Sequence, residues 1–198
     1  MSDLFTGIIE RIGVIKKIER KSQTLKITLE ANFASPIKVG ESISSDGICL
    51  TVNAVTSGFF SADVSEETYR VTNLRNALLG KEVNLERALP ADGRFGGHFV
   101  QGHIDCLGRV IKVVKKAGFA ELSVSYPKKY DGLVSRKGSI AVDGVSLTIA
   151  DKRVGGFSVA VIPETLNSTI IKDYLSGRNV NLEFDILAKY LENLIKAR

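Results

Sequence analysis

Along most of this chain apolar residues recur at every second position, in short runs closed by glycine-bearing turns. Leu25-Lys26-Ile27-Thr28-Leu29 alternates in this way, and Glu121-Leu122-Ser123-Val124-Ser125 does so in part. Ile48 to Val55 and Val145 to Ile149 are rich in β-branched side chains and follow Asp-Gly pairs; Phe59 to Val64 and Phe157 to Ile162 follow glycine-containing turns. Strands this closely spaced predict an antiparallel barrel or sandwich. The period then changes. Glu67 to Leu79 and Glu164 to Leu175 fit short helices, with Pro163 suited to a first helical position and Gly80 and Gly177 to the stops. A Val-Asn-Leu-Glu strand follows each. At the end, Ile186, Leu187, Tyr190, Leu191, Leu194 and Ile195 form one stripe at helical spacing. Helices shorter than ~12–15 residues are marginal alone in water, so this one is expected to dock, with another subunit as a reasonable target.

The pattern occurs twice. Asp46-Gly47-Ile48-Cys49-Leu50-Thr51-Val52 returns 97 positions later as Asp143-Gly144-Val145-Ser146-Leu147-Thr148-Ile149. Glu67-Thr68 returns as Glu164-Thr165, and Gly80-Lys81-Glu82-Val83-Asn84-Leu85-Glu86 as Gly177-Arg178-Asn179-Val180-Asn181-Leu182-Glu183. Units this long indicate a duplicated domain, since solenoid repeats run to about 20–50 residues. Each copy reads as about six strands and a short helix. The expected domains are 1–97 and 98–185, followed by a helix over 186–198.

Composition changes this picture little. The net charge of +5 is scattered, which fits a solvated surface better than a nucleic-acid stripe. No apolar run approaches the ~18 residues of a membrane span, and the first residues lack the basic flank and apolar core of a signal peptide. Cys49 and Cys106 have no C-x-x-C spacing, which fits a reducing, cytoplasmic compartment. With His98 and His103 they form no recognisable zinc motif, and no Walker or G-x-G-x-x-G motif is present. Neither a metal nor a nucleotide cofactor is expected.

Candidate chemistry lies where the copies differ. Gly102 aligns with Gly7 and Gly108 with Gly13, so His103 stands where the first copy has Ile8. Imidazole is the side chain best suited to proton transfer near neutrality; the plainer reading is a loop or core histidine. His98 takes that plainer reading. Cys49 in one copy faces Ser146 in the other, and Thr51 and Thr148 project to the same face two residues on. A thiolate can attack, whereas a hydroxyl without a base is a hydrogen-bonding group; equally, Cys49 can be a small buried hydrophobe. The two Glu-Thr pairs sit where strand turns to helix and can read a polar heterocycle or merely cap. Asp185 can cap the terminal helix, orient a base, or both.

Taken together, Phe5-Thr6-Gly7-Ile8-Ile9-Glu10, Cys49-Leu50-Thr51, Glu67-Thr68, Gly96-Gly97-His98, Gly102-His103-Ile104, Asp143 to Thr148 and Ile162-Pro163-Glu164-Thr165-Leu166 resemble the riboflavin synthase family of the alpha-subunit type. The match runs in order over nearly the whole chain, duplication included. One departure is Ile48-Cys49, where family members often carry two cysteines. The resemblance implies an all-β protein with short helices: tandem six-stranded antiparallel Greek-key β-barrels plus a C-terminal helix. It implies a homotrimer held by those helices, with lumazine synthase as a further candidate partner, and no cofactor. The implied reaction is dismutation of two 6,7-dimethyl-8-ribityllumazine molecules into riboflavin and 5-amino-6-ribitylamino-uracil, at a site between barrels of neighbouring subunits.

The resemblance also implies site residues. Gly7, Ile8, Ile9, Cys49, Leu50, Thr51, Asp63, Val64, Ser65, Glu66, Glu67 and Thr68 would line the N-terminal pocket. Gly102, His103, Ile104, Lys137, Ser146, Leu147, Thr148, Val161, Ile162, Pro163, Glu164, Thr165 and Leu166 would line the C-terminal one. Cys49, His103, Ser146, Thr148 and Asp185 would be catalytic. The alternative is a non-catalytic lumazine- or flavin-binding protein. Such proteins tend to lose motif residues in one copy, whereas both copies here keep Leu-Thr and Glu-Thr. A barrel for single-stranded nucleic acid is a third class, poorly matched by 7% aromatics and no Trp.

Overall fold

The computed structural model describes residues 4–20 and 24–197. The alternating runs become strands β1 (Arg11–Arg20), β2 (Thr24–Glu30), β3 (Ser42–Ser45), β4 (Ile48–Thr56), β5 (Phe59–Ser65) and β6 (Glu82–Arg87), which close into an antiparallel barrel in the order β1-β2-β5-β4-β3-β6. Strands β7 (Cys106–Lys116), β8 (Phe119–Ser125), β9 (Ser139–Val142), β10 (Val145–Arg153), β11 (Gly156–Val161) and β12 (Asn179–Phe184) close a second barrel of the same order. Closure gives each of these strands a neighbour on both sides, so neither barrel ends in an edge strand. Even the irregularities repeat: the register breaks at Ile15/Lys17 and Val52/Ala54 recur at Val110/Lys112 and Ile149/Asp151.

Each barrel encloses its own core. Ile15, Ile27, Leu29, Phe60 and Leu85 are sealed in the first, and Val110, Leu122, Val159, Val180 and Leu182 in the second. Inward positions are every second residue, as the pleat requires.

The Asp-Gly pairs form the β3–β4 and β9–β10 turns. Asp46 and Gly47 have φ of 48° and 79°, and Asp143 and Gly144 have 43° and 79°, the positive pair demanded by a type I′ hairpin. The two turns meet back to back: a Cβ on Gly47 would lie 2.8 Å from the Gly144 nitrogen. Around this contact the barrels exchange hydrogen bonds. Asn84 Nδ2 donates to the Asp143 carbonyl (2.8 Å) and Asn181 Nδ2 to the Asp46 carbonyl (2.9 Å). Asn84 Oδ1 accepts from Ile170 N (2.9 Å) and Asn181 Oδ1 from Asn73 N (2.7 Å). The joint is therefore pseudo-two-fold, and it sets how the barrels face each other. Its polar groups are buried, and losing one partner would strand another at a cost of ~1–3 kcal/mol.

The joint is not symmetric in charge. Asn73 Nδ2 bridges Asp46 Oδ2 (3.1 Å) and Asp143 Oδ1 (3.2 Å), and its counterpart Ile170 cannot. Lys81 offsets Asp46 at 3.3 Å, whereas Asp143 is met by the Tyr174 hydroxyl at 2.5 Å. Burial, with Asp46 beside it, pushes the Asp143 carboxyl well above the usual aspartate range.

The helical stretches are shorter than the pattern predicts. Helix α1 covers Glu66–Val71 and α2 covers Pro163–Ser168; each gives way to a 3-10 turn, Asn73–Asn76 or Ile170–Asp173. The break falls at Thr72 and Thr169, which are extended and use their hydroxyls to cap the following turn. Threonine competes with the helix through such local bonds. Pro163 does occupy the first turn of α2. Helix α3 (Ile186–Lys196) leaves β12 with Asp185 as its N-cap and is tied to the second barrel by a Lys189–Asp105 ion pair of 2.7 Å.

Candidate active site

Two segments lead into the barrels, and each packs on the barrel it does not belong to. Phe5 and Val100 bridge, with Phe5 N to Val100 O at 2.8 Å. Beyond that bridge the Gly7 carbonyl accepts from Ser146 N (2.8 Å), and the Gly102 carbonyl from Cys49 N (2.9 Å). Both glycines stand at φ 78°, and a Cβ on either would meet the partner nitrogen at 2.7 Å. Only glycine meets both demands, the left-handed backbone and the close approach. Farther along, Ile9 and Ile12 pack on the second core and Ile104 on the first.

This exchange corrects the expected grouping. Within one chain, Gly102, His103 and Ile104 join the first barrel, where they share a cavity of about 470 Å³ with Ile48, Cys49, Glu67 and Thr68. Gly7 joins the second barrel beside Ser146. His103 thus lies with Cys49, and neither Ser146 nor Thr148 lines its cavity. The physical reason is the pair of carbonyl contacts just described, which pull each lead-in across the joint.

In that cavity Cys49 is half-buried on the outward face of β4, and His103 is exposed. Thr51 and Thr148 are exposed on the same strand faces as Cys49 and Ser146. Ser65 caps α1, its Oγ accepting from Thr68 N at 3.1 Å. Glu66 and Glu67 follow at the helix start, and Asp63 holds Asn53 Nδ2 at 2.7 Å. Leu50, Val64, Leu147 and Val161 fill the barrel cores, so their side chains are withdrawn and only their main chain is available to a ligand. Ile162, Pro163 and Glu164 are exposed around the start of α2, and Thr165 and Leu166 are half-buried, Leu166 against the second core. Ile8 is exposed. Lys137 is exposed at φ 66°, its N–H on the Ile149 carbonyl at 2.8 Å. Asp185 Oδ1 accepts from Leu187 N at 3.0 Å and so does cap α3.

Three residues of the site escaped the sequence reading. His98 is buried, with Nδ1 2.7 Å from Ser146 Oγ, while its Nε2 is buried with no hydrogen-bond partner among the described residues. Burial lowers its pKa, against a smaller opposing pull from Asp185, so the ring beside Ser146 is neutral at pH 7. Glu86 accepts from Thr6 N (2.7 Å) and Gly7 N (3.0 Å), and Glu183 from Gln101 N (2.6 Å), Gly102 N (2.9 Å) and His103 N (3.1 Å). Burial pushes both carboxyls up to about 7, with the backbone donors pulling the other way. A signal was present: both copies keep this glutamate in Val-Asn-Leu-Glu, on the strand face opposite the apolar positions. Cys106 is of another kind. Burial pushes its thiol up to about 12, which leaves it protonated and unreactive.

The lumazine binding domain family model matches residues 6–88 and 101–185. A riboflavin synthase of Bacillus amyloliquefaciens is 39% identical over 189 residues, covering 95% of this chain and 88% of that protein. Those of Photobacterium leiognathi and Bacillus subtilis are each 38% identical, over 98% and 95% of this chain and 89% and 88% of theirs. In fold the chain is similar to LumP in complex with riboflavin (TM-score 0.82) and with 6,7-dimethyl-8-(1'-D-ribityl) lumazine (TM-score 0.80). Each likeness is at 21% identity and covers 91% of this chain and 98% of that one. With both copies matched and the curated relatives covered almost end to end, the chain belongs to the riboflavin synthase family, built on a pair of lumazine-binding domains.

Proposed function

We propose that the protein is a riboflavin synthase, converting two molecules of 6,7-dimethyl-8-ribityllumazine into riboflavin and 5-amino-6-ribitylamino-uracil by transfer of a four-carbon unit. Near full-length likeness to riboflavin synthases supports the activity. The observation that carries the mechanism is the inequality of two equivalent places: Gly102 delivers His103 to Cys49, whereas Gly7 delivers Ile8 to the region of Ser146. Two identical substrates must play unlike parts, and the pockets are unlike at that point.

In this reading His103 removes a proton from the acidic C7 methyl of one lumazine. Cys49, or water held by it, assists addition to the other. Thr148 assists His103 in that proton removal, while Ser146 and Asp185 orient and stabilise intermediates, with Ser146 set by neutral His98. Thr51, Glu67 and Thr68, with Thr148, Glu164 and Thr165 in the other copy, offer hydrogen bonds to the ring and ribityl chain. Holding the two rings together is worth ~7–11 kcal/mol of the barrier when the geometry is productive. Because Thr148 and His103 share no cavity within one chain, a His103–Thr148 partnership would be made between the first barrel of one copy and the second barrel of a neighbour. A homotrimer built through α3 would supply that pairing; association with lumazine synthase is part of the same proposal. No helix among the described residues is long and apolar enough to cross a membrane; cytoplasmic residence is proposed, and cell fractionation checks it.

The direct test is incubation of the purified protein with the dimethyl-ribityllumazine in chelator, without nucleotide, followed by flavin absorbance. Riboflavin formation is expected. Tight binding without it would indicate a lumazine-holding protein, and absence of binding would overturn both.

A further inference from the structure

We propose that Glu183 is a positioning residue for the reaction, its carboxylate fixing the main chain from which His103 reaches the Cys49 cavity. The proposal rests on His103 acting in that cavity. Glu183 is 1% exposed at the end of β12, and its two oxygens accept from three consecutive N–H groups: Gln101 at 2.6 Å, Gly102 at 2.9 Å and His103 at 3.1 Å. Three converging amides form a nest that wants an anion, and a carboxylate has the oxygens to satisfy all three. The peptide of His103 is thereby clamped from the second barrel while the Gly102 carbonyl is clamped by Cys49 N of the first. Both bonds fall on the single peptide group that joins Gly102 to His103, and that group registers the imidazole to the thiol.

The duplication provides an internal reference. Glu86 holds Thr6 and Gly7 by the same chemistry, and its segment carries Ile8. The latch is thus structural in both copies, and in the second it additionally places an imidazole. The charged groups facing Glu183 are Lys189 of α3, which favours the carboxylate, and Asp105, which opposes it. Lys189 also pairs with Asp105, so the terminal helix buttresses the latch.

The test is a double-mutant cycle between Glu183→Gln and His103→Gln. In Glu183→Gln an amide NH2 replaces one acceptor and faces a backbone N–H. With His103 present, kcat should fall roughly 10- to 100-fold with KM little changed, as expected for misplacement of about an ångström. In the His103→Gln background the same substitution should change kcat by less than about twofold, whereas Glu86→Gln should still lower it. Glu183→Asp, which keeps the anion one methylene back, should recover part of the loss and serves if the glutamine variant fails to fold. Independent, multiplying effects of Glu183→Gln and His103→Gln would overturn the proposal. Amide hydrogen exchange judges the latch without turnover: Glu183→Gln should speed exchange at residues 101–103 and spare residues 6–7. Unchanged protection at 101–103 would sink the latch even where the wild-type protein makes riboflavin; an inactive wild type with the exchange pattern intact would count against the activity alone.

Discussion

His98 Nδ1 and Ser146 Oγ lie 2.7 Å apart across the joint between the lead-in segment and β10. The neutral imidazole fixes the serine hydroxyl rotor, which otherwise would be free to turn. His98→Gln should therefore lower kcat by roughly 5- to 10-fold, the scale of one neutral hydrogen bond, with lumazine affinity changed less. Because the folded pKa of His98 lies below 6.5, the folded state takes up its proton later than the unfolded chain as pH falls. Its contribution to stability is present above that range and lost on the acid side. An NMR titration of the ring should show it neutral throughout the neutral range; an imidazolium signal at pH 7 would contradict this account.

Asp143 has the opposite sign. Its carboxyl is raised by burial and by Asp46, against Lys81 and the Tyr174 hydroxyl, so the folded chain holds the proton at pH values where the unfolded chain has released it. Stability then falls as pH rises from the ordinary aspartate range toward neutrality. Asp143→Asn removes this slope while its Oδ1 still accepts from Asn181 N. Thermal melts at roughly pH 5 and roughly pH 8 should differ less for the variant than for the parent. Glu86 and Glu183, both raised to about 7, keep the remaining slope. Parallel profiles for parent and variant would remove Asp143 from this role.

Gly102 couples fold to site through a contact that no side chain fits. Gly102→Ala imposes φ 78° on an L residue and drives a Cβ to 2.7 Å from Cys49 N. Backbone strain alone costs ~1–3 kcal/mol, and the contact displaces Cys49 from His103. Gly7→Ala meets Ser146 N at the same 2.7 Å. The two variants should lose similar stability in urea, with Gly102→Ala the more damaging to turnover. Wild-type stability in either would show that the lead-in can move away at no cost.

What was legible in the sequence follows what repeats locally. The Asp-Gly turns and the strand alternation rest on neighbours within a few residues, and their return at an offset of 97 specifies two like barrels. Alignment of Gly7 with Gly102 likewise exposed the Ile8–His103 inequality. Which barrel each glycine would enter depends on a bond between residues 53 apart, Cys49 and Gly102, and nothing local encodes it. His98 was passed over for the same reason, its partner Ser146 being 48 positions away. Glu86 and Glu183 were visible as repeated letters, but their burial arises only when the outer faces of β6 and β12 are covered. The short helices expected over 67–79 and 164–175 end earlier still, at Thr72 and Thr169, where a hydroxyl cap outweighs helical spacing.

The outward face of α3 carries the last prediction. Leu187, Tyr190, Leu191, Leu194 and Ile195 are 54–74% exposed along one side of the helix, while Lys189 on another side is held by Asp105. Five large apolar side chains in one stripe form a helical seam without a partner among the described residues. Tyr190→Glu with Leu194→Glu places charge in that seam and leaves the Lys189 bond untouched. Light scattering should then report the 21.5 kDa monomer in place of the proposed trimer. If His103 of one copy works with Thr148 of the next, the monomer should still bind lumazine and lose most of its turnover. A fully active monomer would return both halves of the site to a single chain.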